Sequence, residues 1–107
     1  MMIIKSKHSS FKVEHATQFL KHVRGLMFKF PKNEGILFEF KQEKKVALHT
    51  CFVFFKIDLV YLNNNKKVIK IRRGVLPFIP YIPKVKCKYI LELKNCKKLK
   101  IKEKLKF

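Results

Sequence analysis

The chain predicts an α+β fold, mainly antiparallel β, curled into a compact closed or half-open β-barrel-like sheet with one short helix near residues 17–27. Three observations carry that expectation. Apolar residues alternate with lysines along several short stretches, and a period of two is the mark of a half-buried strand. Asn, Gly, Pro and Lys clusters interrupt those stretches at intervals that suit hairpins. Residues 17–27, in contrast, repeat their apolar side chains at helical spacing. The 107 residues match one domain, and a hydrophobic content of 48% supplies material for one core. Eleven Phe and three Gly argue against disorder. With no repeat and no long linker, residues 1–107 are read as a single domain.

Residues 2–5 and 11–15 (FKVEH) read as short strands. Thr17 then suits a helix N-cap, because its hydroxyl can accept an orphan N–H of the first turn. Phe19, Leu20, Val23, Leu26 and Met27 make one apolar face, with Gly25 inside the pattern at a cost to helix stability. Pro31, Lys32 and Asn33 form a turn. Residues 35–40 (GILFEF) read as a strand, 41–45 as a turn, and 46–50 (VALHT) as the returning strand of a hairpin. Residues 51–56 fit either a strand or a buried loop. Residues 57–62 (IDLVYL) are a strand, and Asn63, Asn64 and Asn65 close a second hairpin by tolerating left-handed backbone. The return strand, 66–73, is expected to turn Ile69 and Ile71 inward and Lys70 and Arg72 outward. Residues 74–83 read as a loop, with Pro77, Pro80 and Pro83 favouring an extended path. If that loop faces water, it exposes Phe78, Ile79, Tyr81 and Ile82; otherwise it folds over an open barrel end. Residues 84–93 and the tail from 98 to 107 alternate again, apolar residues against lysines.

The charge balance is extreme: 26 basic against 7 acidic residues, net +19. Only Arg24, Arg72 and Arg73 are arginines. Lysine is a point charge, without the planar fork that grips a phosphate or a guanine edge. A lysine surface therefore attracts nucleic acid but reads sequence poorly. No run of about 18 apolar residues occurs, so no helical bilayer span is expected. The opening MMIIKSKHSSF does not read as a signal peptide, so a cytoplasmic location with reduced cysteines is expected. Cys51, Cys87 and Cys96 form no CxxC pair, and His8, His15 and His22 form no ligand set. No metal and no cofactor is indicated.

Four pieces stand in order along the chain: Arg24-Gly25-Leu26-Met27-Phe28, Gly35-Ile36-Leu37-Phe38-Glu39-Phe40, His49-Thr50-Cys51-Phe52 running on to Ile57-Asp58, and Leu91-Glu92-Leu93. This succession resembles the domain-of-unknown-function family 192, also known as uncharacterised protein family 0127. The family's pattern is similar to R-G-L-M-F, G-M-L-F-x-F, H-T-F-x-M-x-F-P-I-D and V-L-E-L. Here Ile36 replaces a Met, Val53 stands where Met is common, Lys56 where Pro is usual, and Lys102 where a Gly usually precedes the acidic residue matched by Glu103. The resemblance implies a compact β-rich fold with a short helix bearing the first piece. It implies no activity, substrate or cofactor, and the strong basic charge belongs to this chain rather than to the family.

The candidate ligand-binding residues are His49, Thr50, Asp58, Arg24 and Glu92. A His49–Asp58 contact would hold the imidazole in one tautomer and raise its basicity. Alternatively, Asp58 caps backbone N–H groups at a strand start and His49 is a core residue. Arg24 and Glu92 could pair between helix and late strand, a structural contact more than a catalytic one. Lys84, Lys86, Lys88, Lys98, Lys100 and Lys102 are candidate nucleic-acid contacts, or simply a solvated face that guards a sheet edge. Three functions follow. The preferred one is a non-enzymatic binding module for a small ligand or protein partner. The others are a weak, nonspecific nucleic-acid binder acting through lysines and a hydrolase-like enzyme using His49 and Asp58. The enzyme reading lacks a nucleophile motif.

Overall fold

Alternation becomes pairing in the computed structural model, which describes residues 2–16, 35–48, 56–76, 81–96 and 99–107. Six strands form: β1 Met2–Lys5, β2 Ser10–Ala16, β3 Gly35–Leu48, β4 Ile57–Leu62, β5 Val68–Val75 and β6 Ile82–Leu93. They make one sheet in the order β1-β2-β3-β6-β4-β5. Strands β2 and β3 run parallel, and the other neighbouring pairs are antiparallel. A parallel pair requires a long crossover, and the chain between Ala16 and Gly35 provides it. The helix expected over 17–27 falls in that connection, outside the described residues; the described elements are all strands.

The sheet curls into a half-barrel whose edge strands are β1 and β5. The C-terminal tail joins these edges. Lys5 and Lys106 exchange backbone hydrogen bonds of 2.9 Å in both directions. At the other edge Val68 N–H donates to Glu103 O (2.8 Å), Lys102 N–H to Val68 O (2.7 Å) and Leu105 N–H to Lys66 O (2.9 Å). The tail was expected to alternate as a strand, and here the structure differs. Leu99 and Leu105 are buried, but Ile101 is 49% exposed. The chain turns at Lys102, whose φ of 74° is left-handed, and a turn breaks the period of two.

Both faces of the sheet are covered. The first carries Ile4, Phe11, Leu37, Val60, Leu91, Leu93, Cys96, Leu99 and Leu105. The second carries Ile36, Phe38, Leu59, Tyr61, Ile82 and Ile90. Strand β6 lies between β3 and β4, and from Tyr89 to Leu93 every residue is buried. A strand covered on both sides reads as a continuous apolar run, so the lysine alternation of residues 84–88 stops where coverage begins.

Three local expectations need correction. Residues 41–45 are not a hairpin turn: β3 runs through them, with an irregularity between Glu39 and Lys44 in its pairing with β6. Extra residues on one strand bend it without reversing it. In the 63–67 turn the left-handed residue is Lys66 (φ 62°), not an asparagine. Asn63 contributes through its side chain, whose Oδ1 accepts from Asn65 N–H (2.9 Å) and Lys67 N–H (3.0 Å). Finally, a register shift between Tyr61 and Leu62 in the β4–β5 pairing moves the apolar set of β5. Val68 is buried in place of Ile69, which is exposed, while Ile71 packs against the first core as expected; Arg72, on the other side, is half-buried because it pairs with Leu59 on a second covered face.

Candidate functional site at the Glu92 end of the sheet

Three of the four motif pieces meet at the end of β6. Gly35 pairs with Leu93 and Ile36 with Glu92 on one side; Asp58 pairs with Leu93 and Leu59 with Glu92 on the other. Gly35 is required by this junction. A Cβ there would overlap the Glu92 carbonyl oxygen and crowd Leu93 Cδ2 at 2.8 Å. The fourth piece, with Arg24, lies outside the described residues, as do His49 and Thr50.

Asp58 and Glu92 are close in register but point to opposite faces. Paired residues share a face of a sheet; Asp58 is matched with Leu93 of the first face, Glu92 with Leu59 of the second. The Asp58 carboxylate is engaged at both oxygens. Gly74 N–H donates to Oδ1 (2.7 Å) and Cys96 N–H to Oδ2 (2.8 Å). Asp58 thereby ties the end of β5 and the chain after β6 to the start of β4. Beside it, Arg73 donates from Nη1 to Cys96 Sγ (2.7 Å) and from Nη2 to Leu99 O (2.8 Å). Burial pushes the Cys96 thiol up to about 11, with the Asp58 charge adding to the effect. Burial pushes the Cys87 thiol up to about 12. Both are inert thiols at neutral pH.

The second face holds a different set. Register places Ile36, Glu92, Leu59 and Arg72 in one row across β3, β6, β4 and β5. Glu92 is 7% exposed, and burial pushes its carboxyl up to about 8, so it is mostly a neutral acid at pH 7. Tyr61 is fully buried; burial raises its phenol, the nearby Arg72 partly opposes this, and Glu92 adds to the rise. The guanidinium is thus near enough to be felt, but Tyr61 Oη and Arg72 Nε are both buried without a well-formed hydrogen bond. Unsatisfied buried polar atoms are rare in folded proteins and need an explanation. Here two such atoms and a buried acid gather on an otherwise apolar surface. Tyr61 and Arg72 were not among the residues singled out from the sequence. A tyrosine at an inward position of a strand was the available signal, because a buried phenol needs a partner.

Beyond this row, the edge strand β5 and the start of β6 border an open cleft of about 460 Å³, lined in part by Lys70, Arg72, Val75, Tyr81 and Ile82. Of the apolar residues expected around 76–82, Leu76 and Tyr81 are exposed and Ile82 is buried; Phe78 and Ile79 lie outside the described residues. Among the lysines, Lys84 and Lys86 are exposed on β6, and Lys100 and Lys102 on the tail. Lys88 donates to Lys41 O (2.8 Å) and sits 5.9 Å from the Tyr89 ring centroid. Lys98 lies outside the described residues. No helix among the described residues is long and apolar enough to cross a membrane.

Fold and site define a β half-barrel with a buried acid at the meeting point of its motif segments. The chain belongs to the domain-of-unknown-function family 192, whose model, described as Uncharacterized ACR, matches residues 2–105. A UPF0127 protein of Pyrococcus horikoshii is 32% identical over 96 residues, covering 86% of this chain and 82% of that protein. A UPF0127 protein of Pyrococcus furiosus is 33% identical over 92 residues, covering 84% and 78%. In three dimensions the chain is similar to a protein of unknown function from Novosphingobium aromaticivorans, with a TM-score of 0.85 at 15% identity over 98% of this chain and 84% of that one.

Proposed function

We propose that the protein is a non-enzymatic binding module whose ligand site lies on the second face of the sheet, beside β5. The observation that carries this reading is the gathering of Glu92, Tyr61 and Arg72, with Tyr61 Oη and Arg72 Nε lacking a well-formed hydrogen bond, next to a cleft of about 460 Å³. Buried polar groups that the fold does not satisfy reduce stability, whereas a few convergent polar groups in an apolar cleft are what a small-molecule site requires. Arg24, His49 and Thr50 remain candidates to complete the site.

Catalysis by a His49–Asp58 couple has less support, because the two backbone N–H bonds to Asp58 give it a structural role in tying β4 to Gly74 and Cys96, and no nucleophile motif accompanies it. The exposed lysines at 84, 86, 100 and 102 support nucleic-acid contact as a second reading. It requires affinity for mixed oligonucleotides that falls steeply with salt.

The test is a titration of the isotope-labelled chain with a set of small carboxylates, phosphates, amines and neutral aromatics. Resonance shifts clustered on Tyr61, Arg72, Tyr81 and Glu92 support a binding module. Shifts that scatter over surface lysines, or none at all, reject it.

A further inference from the structure

We infer that the β5 cleft takes a small amphipathic anion, an oxyanion head on an aromatic or branched aliphatic body, with the head on Arg72 and Lys70 and the body against Tyr81, Val75 and Ile82. This rests on the binding reading and names the class of ligand.

The argument starts from charge. Neither Lys70 nor Arg72 has a carboxylate partner among the described residues. Arg72 is nevertheless half-buried, with Nε shielded from solvent and without an acceptor. A guanidinium stays protonated at any ordinary pH, so it cannot escape burial by becoming neutral. The acid in its row, Glu92, has its backbone two strand spacings away, about 10 Å across the sheet, and makes no ion pair with Arg72. The row therefore carries one permanent positive charge with no fixed negative charge against it. An oxyanion matches it: the planar fork donates two parallel bonds to a carboxylate or a phosphate. Lys70, exposed two residues earlier on the same strand, adds a second cation at the mouth.

The walls define the remainder of the ligand. Val75 and Ile82 belong to the second apolar core or pack against it, and Tyr81 stands 59% exposed at the cleft. A free inorganic ion would leave these surfaces wet, whereas an apolar body covers them and gains burial energy. The cleft volume of about 460 Å³ lies in the range of small-molecule sites.

The experiment measures dissociation constants for a matched series built on one body: 4-tert-butylbenzoate, 4-tert-butylphenyl phosphate, 4-tert-butylbenzyl alcohol and 4-tert-butylbenzylamine, with acetate as a head without a body. Protein-observed NMR locates each one. The benzoate or the phosphate, whichever head the site favours, should bind at least tenfold tighter than the alcohol and shift Tyr81, Arg72 and Lys70, while the amine and acetate bind weakest. Arg72→Gln should lower that affinity at least tenfold. Lys70→Gln, at an exposed position that leaves folding untouched, should lower it about threefold, and Lys84→Gln should not change it. An alcohol that binds in the cleft as tightly as the anions overturns the anion class and leaves the binding reading intact. Acetate binding as tightly as the benzoate overturns the amphipathic ligand. Probes that shift residues elsewhere overturn both the ligand class and the binding reading.

Discussion

The two faces of the half-barrel solve different problems. The first is apolar throughout and is sealed by the protein's own tail, with Leu99, Leu105 and the Phe107 ring packed on it; Phe107 meets Tyr89 edge-on at 5.1 Å. Its polar neighbours are satisfied: both Asp58 oxygens and two Arg73 nitrogens have partners. The second face is equally buried, yet it contains the Glu92 carboxyl together with a Tyr61 Oη and an Arg72 Nε that lack a well-formed hydrogen bond. Stability explains the first arrangement. It does not explain the second, because an apolar residue in place of Glu92 would cost less to bury. The difference is the basis on which the first face is read as structural and the second is proposed as the ligand site.

The sharpest way to break the comparison is at the point both faces share. Gly35→Ala forces a methyl into the Glu92 backbone, and we expect a loss on the order of 4–5 kcal/mol in denaturant unfolding. A small effect would mean that β3 and β6 separate easily and that the faces are not held in fixed register. On the first face, Leu105→Ala should cost about 2–4 kcal/mol by removing a buried side chain from the tail that joins the two edges. Thermal melts read this directly, and a shift within error would show that the tail is not part of the core.

On the second face, Glu92→Gln should separate from the parent in a pH-dependent manner. The folded carboxyl is raised to about 8 from an ordinary value of 4.5. Between those limits the unfolded chain releases a proton that the folded chain keeps, so parent stability falls as pH rises from about 4.5 to about 8 and is level outside that window. The glutamine variant lacks this decline. Its advantage should therefore grow from near zero at pH 4.5 to a plateau, on the order of 4–5 kcal/mol, just above pH 8. Asp58→Ala, on the satisfied side, should cost about 2–3 kcal/mol by stranding two N–H donors, and Asp58→Asn should recover part of the loss because it keeps one acceptor.

Where patterning was regular, the fold was legible. Residues 57–62 are apolar but for Asp58, residues 84–88 alternate with lysines, and both segments pair as strands at nearly the expected limits. The capping alternative for Asp58 was legible too, since an acid at a strand start has backbone donors within reach. The irregularity in β3 was not, because Lys41 to Lys45 has the composition of a turn and only its pairing with β6 keeps it extended. Arg72 was misplaced for a different reason: it lies opposite Ile71 as alternation predicts, but it pairs with Leu59 of the second face, which is covered as well, and nothing local in Lys66 to Arg73 announces that coverage. Glu92 was recognised through its motif, but its burial depends on β6 lying between two other strands, a property of topology rather than of the segment.

The direct measurement is the ionisation of the Glu92 side chain itself, followed by NMR on carboxyl-labelled protein from pH 4 to pH 9. A midpoint near 8 would establish an uncharged carboxyl held inside the second face at physiological pH. A midpoint near 4 would mean that a cation, such as the Arg24 envisaged from the motif, neutralises it as a structural pair, and the division of labour between the faces would fail.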